Sequence, residues 1–295
     1  MNVTLHSGSY EVTINTIGAE LKSFRGADGK EFFWNSNPEF WMRSSPLLFP
    51  TIGNVRNGET YFDNIKYPLV KHGFCKDSEF TLTTQTTNSA TFTLKASKET
   101  KASYPYEFEL SLTYELIENN LKMTYVVENH DTKDMPYHIG AHPGFMCPLE
   151  PDEKLTDYQL VFEKEETFSA IPYDLEQLCF SSKKRVTHGE NGTILPLSVE
   201  MFDNDAVFFP HCNSHVVNLV HATTGQGVSV SYPDFHSIAF WTPAGGNAPF
   251  VCIEPWNGAA IYDDEDDYFI HKRDVETLTS GQSKTYHLEI TLLDK

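Results

Sequence analysis

The stretch FELSLTYELIENNLKMTYVV, residues 108–127, alternates apolar and polar side chains on both sides of a short polar segment. Its alternating apolar residues are Phe108, Leu110, Leu112, Tyr114 and Leu116, then Leu121, Met123, Tyr125 and Val127. Successive side chains of a β-strand point to opposite faces, so this period of two predicts two strands that each bury one face. The polar residues Glu118, Asn119 and Asn120 lie between the two halves and are suited to a turn. The stretch therefore predicts an antiparallel hairpin.

Similar alternation recurs along the chain, at Phe80–Thr84, Ala90–Ala96, Val228–Tyr232 and Tyr286–Leu292. The turn signals DGK, NGE and TTG fall between such runs, and no long segment has the 3.6-residue period of an amphipathic helix. A single twisted sheet of so many strands would curl or split, so the pattern favours two large sheets packed face to face. No linker or low-complexity tract interrupts it. We predict an all-β chain, a large antiparallel β-sandwich formed by one domain over residues 1–295.

The composition excludes several classes of partner. Acidic residues number 41 and basic residues 22, and the resulting net charge of −19 would repel a nucleic-acid backbone. The N-terminus has no signal-peptide pattern, and no window approaches the ~20 apolar residues of a membrane span. The five cysteines are scattered without a C-x-x-C motif, which indicates reduced thiols. We expect a soluble cytoplasmic protein with no nucleic-acid or membrane partner.

Several common catalytic motifs are missing from the sequence. It contains no phosphate-binding loop, no dinucleotide-binding glycine pattern and no G-x-S-x-G nucleophile elbow. The acidic run Asp263–Asp267 lacks the spaced ligands and glycine of an EF-hand loop, so we predict that it is a solvated loop rather than a metal site.

Two histidines lie four residues apart in YHIGAHPGF, residues 137–145. That spacing would suit a helical metal pair, but the glycines and Pro143 disfavour a helix, so no metal site is predicted here. In an extended chain His138 and His142 would point the same way. Taken alone, a histidine in a β protein is more often a hydrogen-bonded core residue or a surface residue than a catalyst.

Glu254 has the most informative surroundings of the acidic residues. It is preceded by Val251–Ile253 and followed by Pro255 and Trp256, so we expect partial desolvation, which raises a carboxyl pKa and suits the group to general-base chemistry. The alternative is a glutamate that pairs with a buried lysine or arginine, and this is the commoner role of a single buried glutamate.

Four motifs in order resemble those of the aldose 1-epimerase (galactose mutarotase-like) family, especially its bacterial LacX-like branch. They are KHGF at 71–74, AHPGF at 141–145, NDAVFF at 204–209 and IEPWNG at 253–258. The segment RSSPLLFPTIGNVRNGETYFDNIKYPLVKHGF at 43–74 is similar to that branch as well, and the resemblance runs nearly end to end from GAEL at 18–21. It implies a large β-sandwich with a sugar-binding cleft.

The resemblance also implies roles for individual residues. His142 would be the general acid that protonates the ring oxygen, and Glu254 the base that takes the proton of the anomeric hydroxyl. His72 would hydrogen-bond near the ring oxygen and Asp205 would hold sugar hydroxyls, with no metal or organic cofactor required. His138 falls outside the motif, and we expect it to have a structural or supporting role.

One position departs from the family pattern. Relatives carry an arginine that contacts the substrate where this chain has Asn54, in GNVRNG at 53–58. In a strand, Arg56 would point to the same side as Asn54 and could replace that arginine, and Arg43 is a second candidate. Asn54 could also hydrogen-bond the sugar itself.

The expected function is therefore that of a mutarotase acting on a hexose. Open alternatives are a non-catalytic carbohydrate-binding protein, a glycoside hydrolase that pairs Asp205 with Glu254, and a hexose-6-phosphate mutarotase. The last would need a basic cluster, and the presence of only five arginines favours a free sugar. The partner is a small-molecule sugar, Trp241 or Trp256 could stack on its ring, and the choice between monomer and homodimer stays open.

Overall fold

The computed structural model describes residues 1–294 and consists mainly of short strands. The strands are β1 (Asn2–Ser7), β2 (Tyr10–Asn15), β3 (Glu20–Arg25), β4 (Leu47–Leu48), β5 (Glu59–Phe62), β6 (Ile65–Pro68), β7 (Thr81–Gln85), β8 (Ser89–Lys95), β9 (Phe108–Ile117), β10 (Asn120–Asn129), β11 (Met135–Tyr137), β12 (Ile139–Ala141), β13 (Gly144–Met146), β14 (Tyr158–Glu166), β15 (Ser169–Ala170), β16 (Tyr173–Asp174), β17 (Cys179–Phe180), β18 (Val186–Thr187), β19 (Gly192–Pro196), β20 (Val207–Phe209), β21 (Val216–His221), β22 (Gly227–Ser231), β23 (Ser237–Trp241), β24 (Phe250–Asn257), β25 (Glu276–Leu278) and β26 (Ser283–Leu293). The helical segments are α1 (Lys98–Lys101) and 3₁₀ turns at Arg56–Gly58, Cys75–Asp77, Leu155–Asp157, Val199–Phe202 and Phe269–His271.

The predicted hairpin lies inside a nine-stranded antiparallel sheet. Its strand order is β19-β14-β21-β22-β26-β10-β9-β8-β7. Strands β9 and β10 pair in register, with Leu116 opposite Leu121 and Leu112 opposite Tyr125. The apolar residues of the alternation are buried, and the polar residues between them are more exposed. The hairpin prediction is confirmed.

A second sheet of six strands packs against the first. Its order is β20-β23-β24-β12-β4, and β13 also pairs with β24. Aromatic contacts join the two sheets: the ring centroids of Phe162 in β14 and Phe240 in β23 lie 5.9 Å apart. The predicted all-β sandwich of two large antiparallel sheets is confirmed. A three-stranded sheet of β1, β2 and β3 adds to the same core.

Strand β24 separates the main core from the outer face of the six-stranded sheet. Val251 and Ile253 belong to the core between the two sheets. Cys252, Glu254 and Trp256 alternate with them and therefore face the other way. Loops also cover this outer face, so every residue of the strand is buried. The strand thus places one carboxylate in an otherwise apolar layer.

Two expectations about the chain as a whole can be compared with the structure. All five cysteines are unpaired, as predicted. Over residues 1–294, the structure contains no helix that is both long enough and apolar enough to cross a membrane.

Candidate active site

An open cavity of about 850 Å³ lies on the outer face of the six-stranded sheet. Long-range pairing assembles it, because its lining comes from segments spread over most of the chain. The residues of the lining are Trp41, Arg43, Pro46, Gly53, Lys71, His72, Lys76, His142, Tyr173, Phe180, Asp205, Ala206, Trp241, Glu254, Trp256 and Ala260.

His142 and Glu254 form a direct pair in this cavity. His142 follows β12 and Glu254 lies in the middle of β24, and the His142 Nε2 atom is 3.1 Å from Glu254 Oε2. The two residues are only 7% and 1% exposed. Within the described chain, His142 Nδ1 and Glu254 Oε1 have no hydrogen-bond partner. The pair therefore keeps unused hydrogen-bonding capacity in a largely desolvated place.

Two tryptophans hold the imidazole of His142. The Trp41 ring stacks on it at a centroid distance of 4.9 Å, and the Trp241 ring meets it edge-on at 5.7 Å. The two indole rings contact each other at 5.4 Å. This packing fixes the orientation of the imidazole and keeps water from it. Trp256, the other tryptophan considered from the sequence, also lines the cavity.

Burial shifts the protonation of both members of the pair toward their neutral forms. Loss of solvation lowers the pKa of His142 to about 3, and the nearby Lys71 ammonium acts in the same direction. Loss of solvation, reinforced by the charge of Asp205, raises the pKa of Glu254 well above its ordinary value. A neutral imidazole and a protonated carboxyl are therefore favoured in the cavity, so the pair holds one transferable proton.

His72 approaches the pair from a different loop, with its ring centroid 5.6 Å from that of His142. The Gly53 N–H donates to His72 Nδ1 at 3.1 Å, so in the neutral ring the proton is on Nε2 and can be donated elsewhere. Burial lowers the pKa of His72 and favours that neutral form. The next residue in the KHGF motif, Gly73, has φ +71°, and a Cβ there would lie 2.1 Å from the Phe49 carbonyl oxygen. Only glycine fits this close approach.

Asp205 and Asn54 occupy different places. Asp205 lines the cavity from the segment before β20, where its φ is +72°. Asn54 is not part of the lining; its Nδ2 donates to the Tyr173 hydroxyl at 2.8 Å, and Tyr173 lines the cavity. The structure therefore brings together His72, His142, Asp205 and Glu254 among the predicted residues, and gives Asn54 a position behind Tyr173.

The structure does not bring Arg56 to the cavity, contrary to the expectation that it replaces the missing arginine. Its guanidinium contacts the acidic segment instead: Nε donates to Asp267 Oδ1 at 3.1 Å, and a terminal nitrogen donates to the Glu265 carbonyl oxygen at 2.9 Å. The alternative candidate, Arg43, does line the cavity.

His138 lies beneath the cavity rather than in its lining. It is fully buried against Gly258 and Phe269, and a Cβ on Gly258 would lie 2.2 Å from its ring. Its backbone N–H donates to the Pro50 carbonyl oxygen at 2.8 Å. These contacts agree with a structural role, because the ring supports the chain on both sides of the cavity without reaching it.

The acidic run Asp263–Asp267 differs from the predicted solvated loop at one residue. The Glu265 side chain is 6% exposed and forms ion pairs with Lys272 at 3.5 Å and Arg273 at 3.3 Å. The prediction of a wholly solvated loop is therefore wrong for Glu265. Its basic partners are far enough along the chain that the sequence alone does not connect them.

Two groups of side chains in residues 1–294 bring potential metal ligands within 4.8 Å of one another. One is His142, Cys252 and Glu254 in the cavity. Burial and the adjacent Glu254 raise the pKa of the Cys252 thiol well above its usual value, which disfavours the thiolate that a metal prefers. The other group, His211, His236 and Asp274, is not part of the cavity lining.

Comparison with known proteins identifies the family. Residues 1–263 match the family described as aldose 1-epimerase. The chain belongs to the aldose 1-epimerase family. Among its relatives, the plasmid-encoded LacX protein of Lactococcus lactis subsp. lactis is 32% identical over 300 residues, and the match covers 100% of both chains. The resemblance seen in the sequence motifs is confirmed.

Solved structures similar to this family member share its fold over the whole chain. A galactose mutarotase related enzyme from Lactobacillus acidophilus is 29% identical with a TM-score of 0.93, and the match covers 100% of this chain and 98% of that one. A galactose mutarotase-like protein from Lactobacillus casei is 27% identical with a TM-score of 0.87, covering 99% and 100%. The galactose mutarotase-like sandwich expected from the sequence is the fold observed.

Proposed function

We propose that this protein is a mutarotase, an isomerase that interconverts the α and β anomers of a hexose by opening and closing the sugar ring. The observation that carries the proposal is the buried pair of His142 and Glu254, 3.1 Å apart in an open cavity. Membership of the aldose 1-epimerase family and the mutarotase-like fold support the same class of reaction.

Anomer exchange needs one acid and one base close together, because the two oxygens that exchange protons, O1 and the ring oxygen O5, are attached to the same carbon. In the reactive state Glu254 is a carboxylate and His142 an imidazolium. Glu254 takes the O1 proton, the C1–O5 bond breaks with its electrons going to O5, and His142 Nε2 gives its proton to O5. The product is an open-chain aldehyde beside a protonated Glu254 and a neutral His142.

Ring closure reverses these transfers. After rotation about C1–C2, O5 attacks the other face of the carbonyl, His142 recovers the proton from O5, and Glu254 returns its proton to O1. No proton is gained or lost over the cycle. The cavity favours the neutral pair that ring opening produces, so the surroundings stabilise the outcome of the first step.

Other residues of the lining would bind and orient the sugar. His72 carries its proton on Nε2 and is suited to donate to the ring oxygen or a neighbouring hydroxyl. The Asp205 carboxylate is an acceptor for hydroxyl groups, and the faces of Trp41 and Trp241 provide an apolar wall for the C–H groups of a pyranose.

The arrangement favours catalysis over two other candidate functions. A protein that only binds sugar has no use for a desolvated carboxyl held against an imidazole, since this arrangement opposes folding. A glycoside hydrolase would use two carboxylates across the bond. Here the partner in direct contact with Glu254 is His142, whereas Asp205 contributes through its charge.

The direct test is polarimetry, or exchange NMR, on freshly dissolved α-glucose and α-galactose with and without the protein. We expect the approach to the anomeric equilibrium to be faster than the spontaneous reaction in the same buffer, in proportion to protein concentration, and to be undiminished by EDTA. Heat-denatured protein is the control. An unaccelerated reaction across these hexoses and their phosphate esters would refute the proposal, and loss of activity in EDTA would refute its cofactor-free form.

A further inference from the structure

The cavity concentrates positive charge in a strongly acidic protein. The chain has 22 basic and 41 acidic residues, yet three cationic side chains, Arg43, Lys71 and Lys76, line this one cavity. Its acidic residues are Asp205 and Glu254, and burial favours the neutral form of Glu254. The lining therefore carries a net positive charge where the protein as a whole would repel an anion.

Lys71 supplies charge that no other side chain balances. It is exposed at the cavity, and over residues 1–294 its ammonium group forms no ion pair and no hydrogen bond. Its charge lowers the pKa of His72, of His142 and of Glu254. Coulomb interactions weaken with distance, so Lys71 lies near the proposed acid and base as well as at the cavity mouth.

Arg43 and Lys76 are fixed next to each other and keep donors free. One Arg43 nitrogen donates to the Lys76 carbonyl oxygen at 2.7 Å and another donates to Asp77. A guanidinium has five N–H donors, so most of them remain available. The Lys76 ammonium donates to the Gly73 carbonyl oxygen and lies 3.3 Å from Asp77 Oδ2. The exposed Asp77 thus orients both cations without entering the cavity lining.

We propose that Arg43, Lys71 and Lys76 form an anion subsite that binds the phosphate of a phosphorylated hexose whose anomeric carbon lies at the His142–Glu254 pair. The placement of the anomeric carbon rests on the proposed mutarotase function, whereas the anion subsite rests on the cationic lining alone. The arginine count favoured a free sugar, but two of the three cations in the cavity are lysines.

Phosphate fits this set better than a neutral hydroxymethyl group or a single carboxylate. A phosphate monoester is close to dianionic at neutral pH and offers three acceptor oxygens, so it can use an arginine and two lysines at once. A neutral sugar would leave Lys71 without a counter-charge. A carboxylate carries one charge and two oxygens, and a single arginine satisfies it.

The test compares the binding of sugars that differ only in the phosphate, by isothermal titration calorimetry at fixed ionic strength. The pairs are glucose with glucose 6-phosphate and galactose with galactose 6-phosphate, and glucuronate is the carboxylate probe. We expect the phosphate ester of at least one pair to bind roughly 10-fold or more tightly than its free hexose, because charge-assisted hydrogen bonds are stronger than neutral ones.

Variants then connect the preference to the subsite. Lys71→Met should reduce the phosphate preference by roughly 10-fold, and Arg43→Gln should reduce it as well. Lys122→Met is the matched control, because it removes the same charge from an exposed position on β10 and should retain the preference. A preference that Lys71→Met leaves intact would refute the role of Lys71.

Binding and turnover separate this inference from the proposed function. Phosphate preference without any accelerated anomer exchange would support the subsite and refute the mutarotase. Accelerated exchange of free hexoses with equal affinity within each pair would support the mutarotase and overturn the subsite. No binding of any phosphate ester, or tighter binding of glucuronate than of the esters, would also overturn it.

Discussion

Two buried glutamates in this protein have opposite surroundings. Glu265 lies in the acidic run and its carboxylate is fully engaged: it accepts the backbone N–H groups of Tyr262 and Arg273 at 3.1 and 2.8 Å, and it pairs with Lys272 and the Arg273 side chain. Glu254 lies in β24 with a single polar contact, to His142, and its Oε1 has no partner in residues 1–294.

The contrast separates a carboxylate that builds the fold from one that is available for chemistry. Hydrogen bonds and ion pairs use the acceptor capacity of Glu265 and hold the loop against the rest of the chain. Glu254 has the burial without the partners, so its proton is easily transferred within the cavity and its free oxygen can accept from a ligand. Four predictions would break or sharpen this comparison.

The largest expected effect is on turnover. Glu254→Gln keeps the shape but cannot accept a proton, so we expect kcat to fall by roughly 10²–10⁴-fold, about 3–5 kcal/mol, while sugar still binds. His142→Asn should have a similar effect. Glu265→Gln is the matched control and should retain most of the kcat of the folded protein. Exchange NMR gives these rates, and near-wild-type turnover by folded Glu254→Gln would end the acid/base hypothesis.

The second prediction exchanges the roles of the two glutamates. Glu265→Gln removes the charge that faces the buried Lys272 ammonium, so we expect it to lower the free energy of unfolding by about 3 kcal/mol. Glu254→Gln should cause no such loss. Urea denaturation followed by fluorescence measures both. If the two substitutions destabilise the protein equally, the two environments do not differ in the way described.

The alternation of side chains predicted much of this molecule. The β9–β10 hairpin and the sandwich follow from it, and the apolar residues around Glu254 indicated the desolvation that is found. The same rule failed at Arg56, because Arg56–Gly58 is a 3₁₀ turn with Asn57 at φ +56°, and a period of two does not hold through a turn. Arg56 therefore points away from the side that a strand would give it.

Long-range partners were the other part that the sequence could not supply. Lys71 stands in the KHGF motif, but nothing local shows that its charge acts on His142 and Glu254, which lie on other strands and loops. Arg43 meets Lys76 and Asp77 across more than 30 intervening residues. Trp41 and Trp241 meet on His142 only because the sheet brings their segments together.

The third prediction concerns stability against pH. The pKa of Glu254 is raised by folding, so the unfolded chain releases this proton near the ordinary value of 4.5, whereas the native state holds it to higher pH. Wild-type protein therefore loses stability as the pH rises through this interval, and Glu254→Gln does not. We expect the Tm of Glu254→Gln relative to wild type to increase with pH above 4.5. A difference in Tm that does not vary with pH would contradict a raised pKa.

The smallest expected effect separates Arg56 from the sugar. Its guanidinium is 36% exposed and bonds Asp267 and two carbonyl oxygens of the acidic segment, so Arg56→Ala should cost about 1 kcal/mol of stability through lost contacts in that loop. Because Arg56 does not line the cavity, we expect the KM for the best hexose substrate to stay within about twofold of wild type, as for a lost contact that the transition state and bound sugar never make. Arg43→Ala provides the comparison, since Arg43 does line the cavity and its loss should weaken binding. Urea denaturation and initial rates on the same preparations measure both quantities. A tenfold rise in KM for Arg56→Ala with unchanged stability would mean that this arginine leaves the acidic segment to reach the substrate, and that the contrast between a structural and a chemical region does not extend to it.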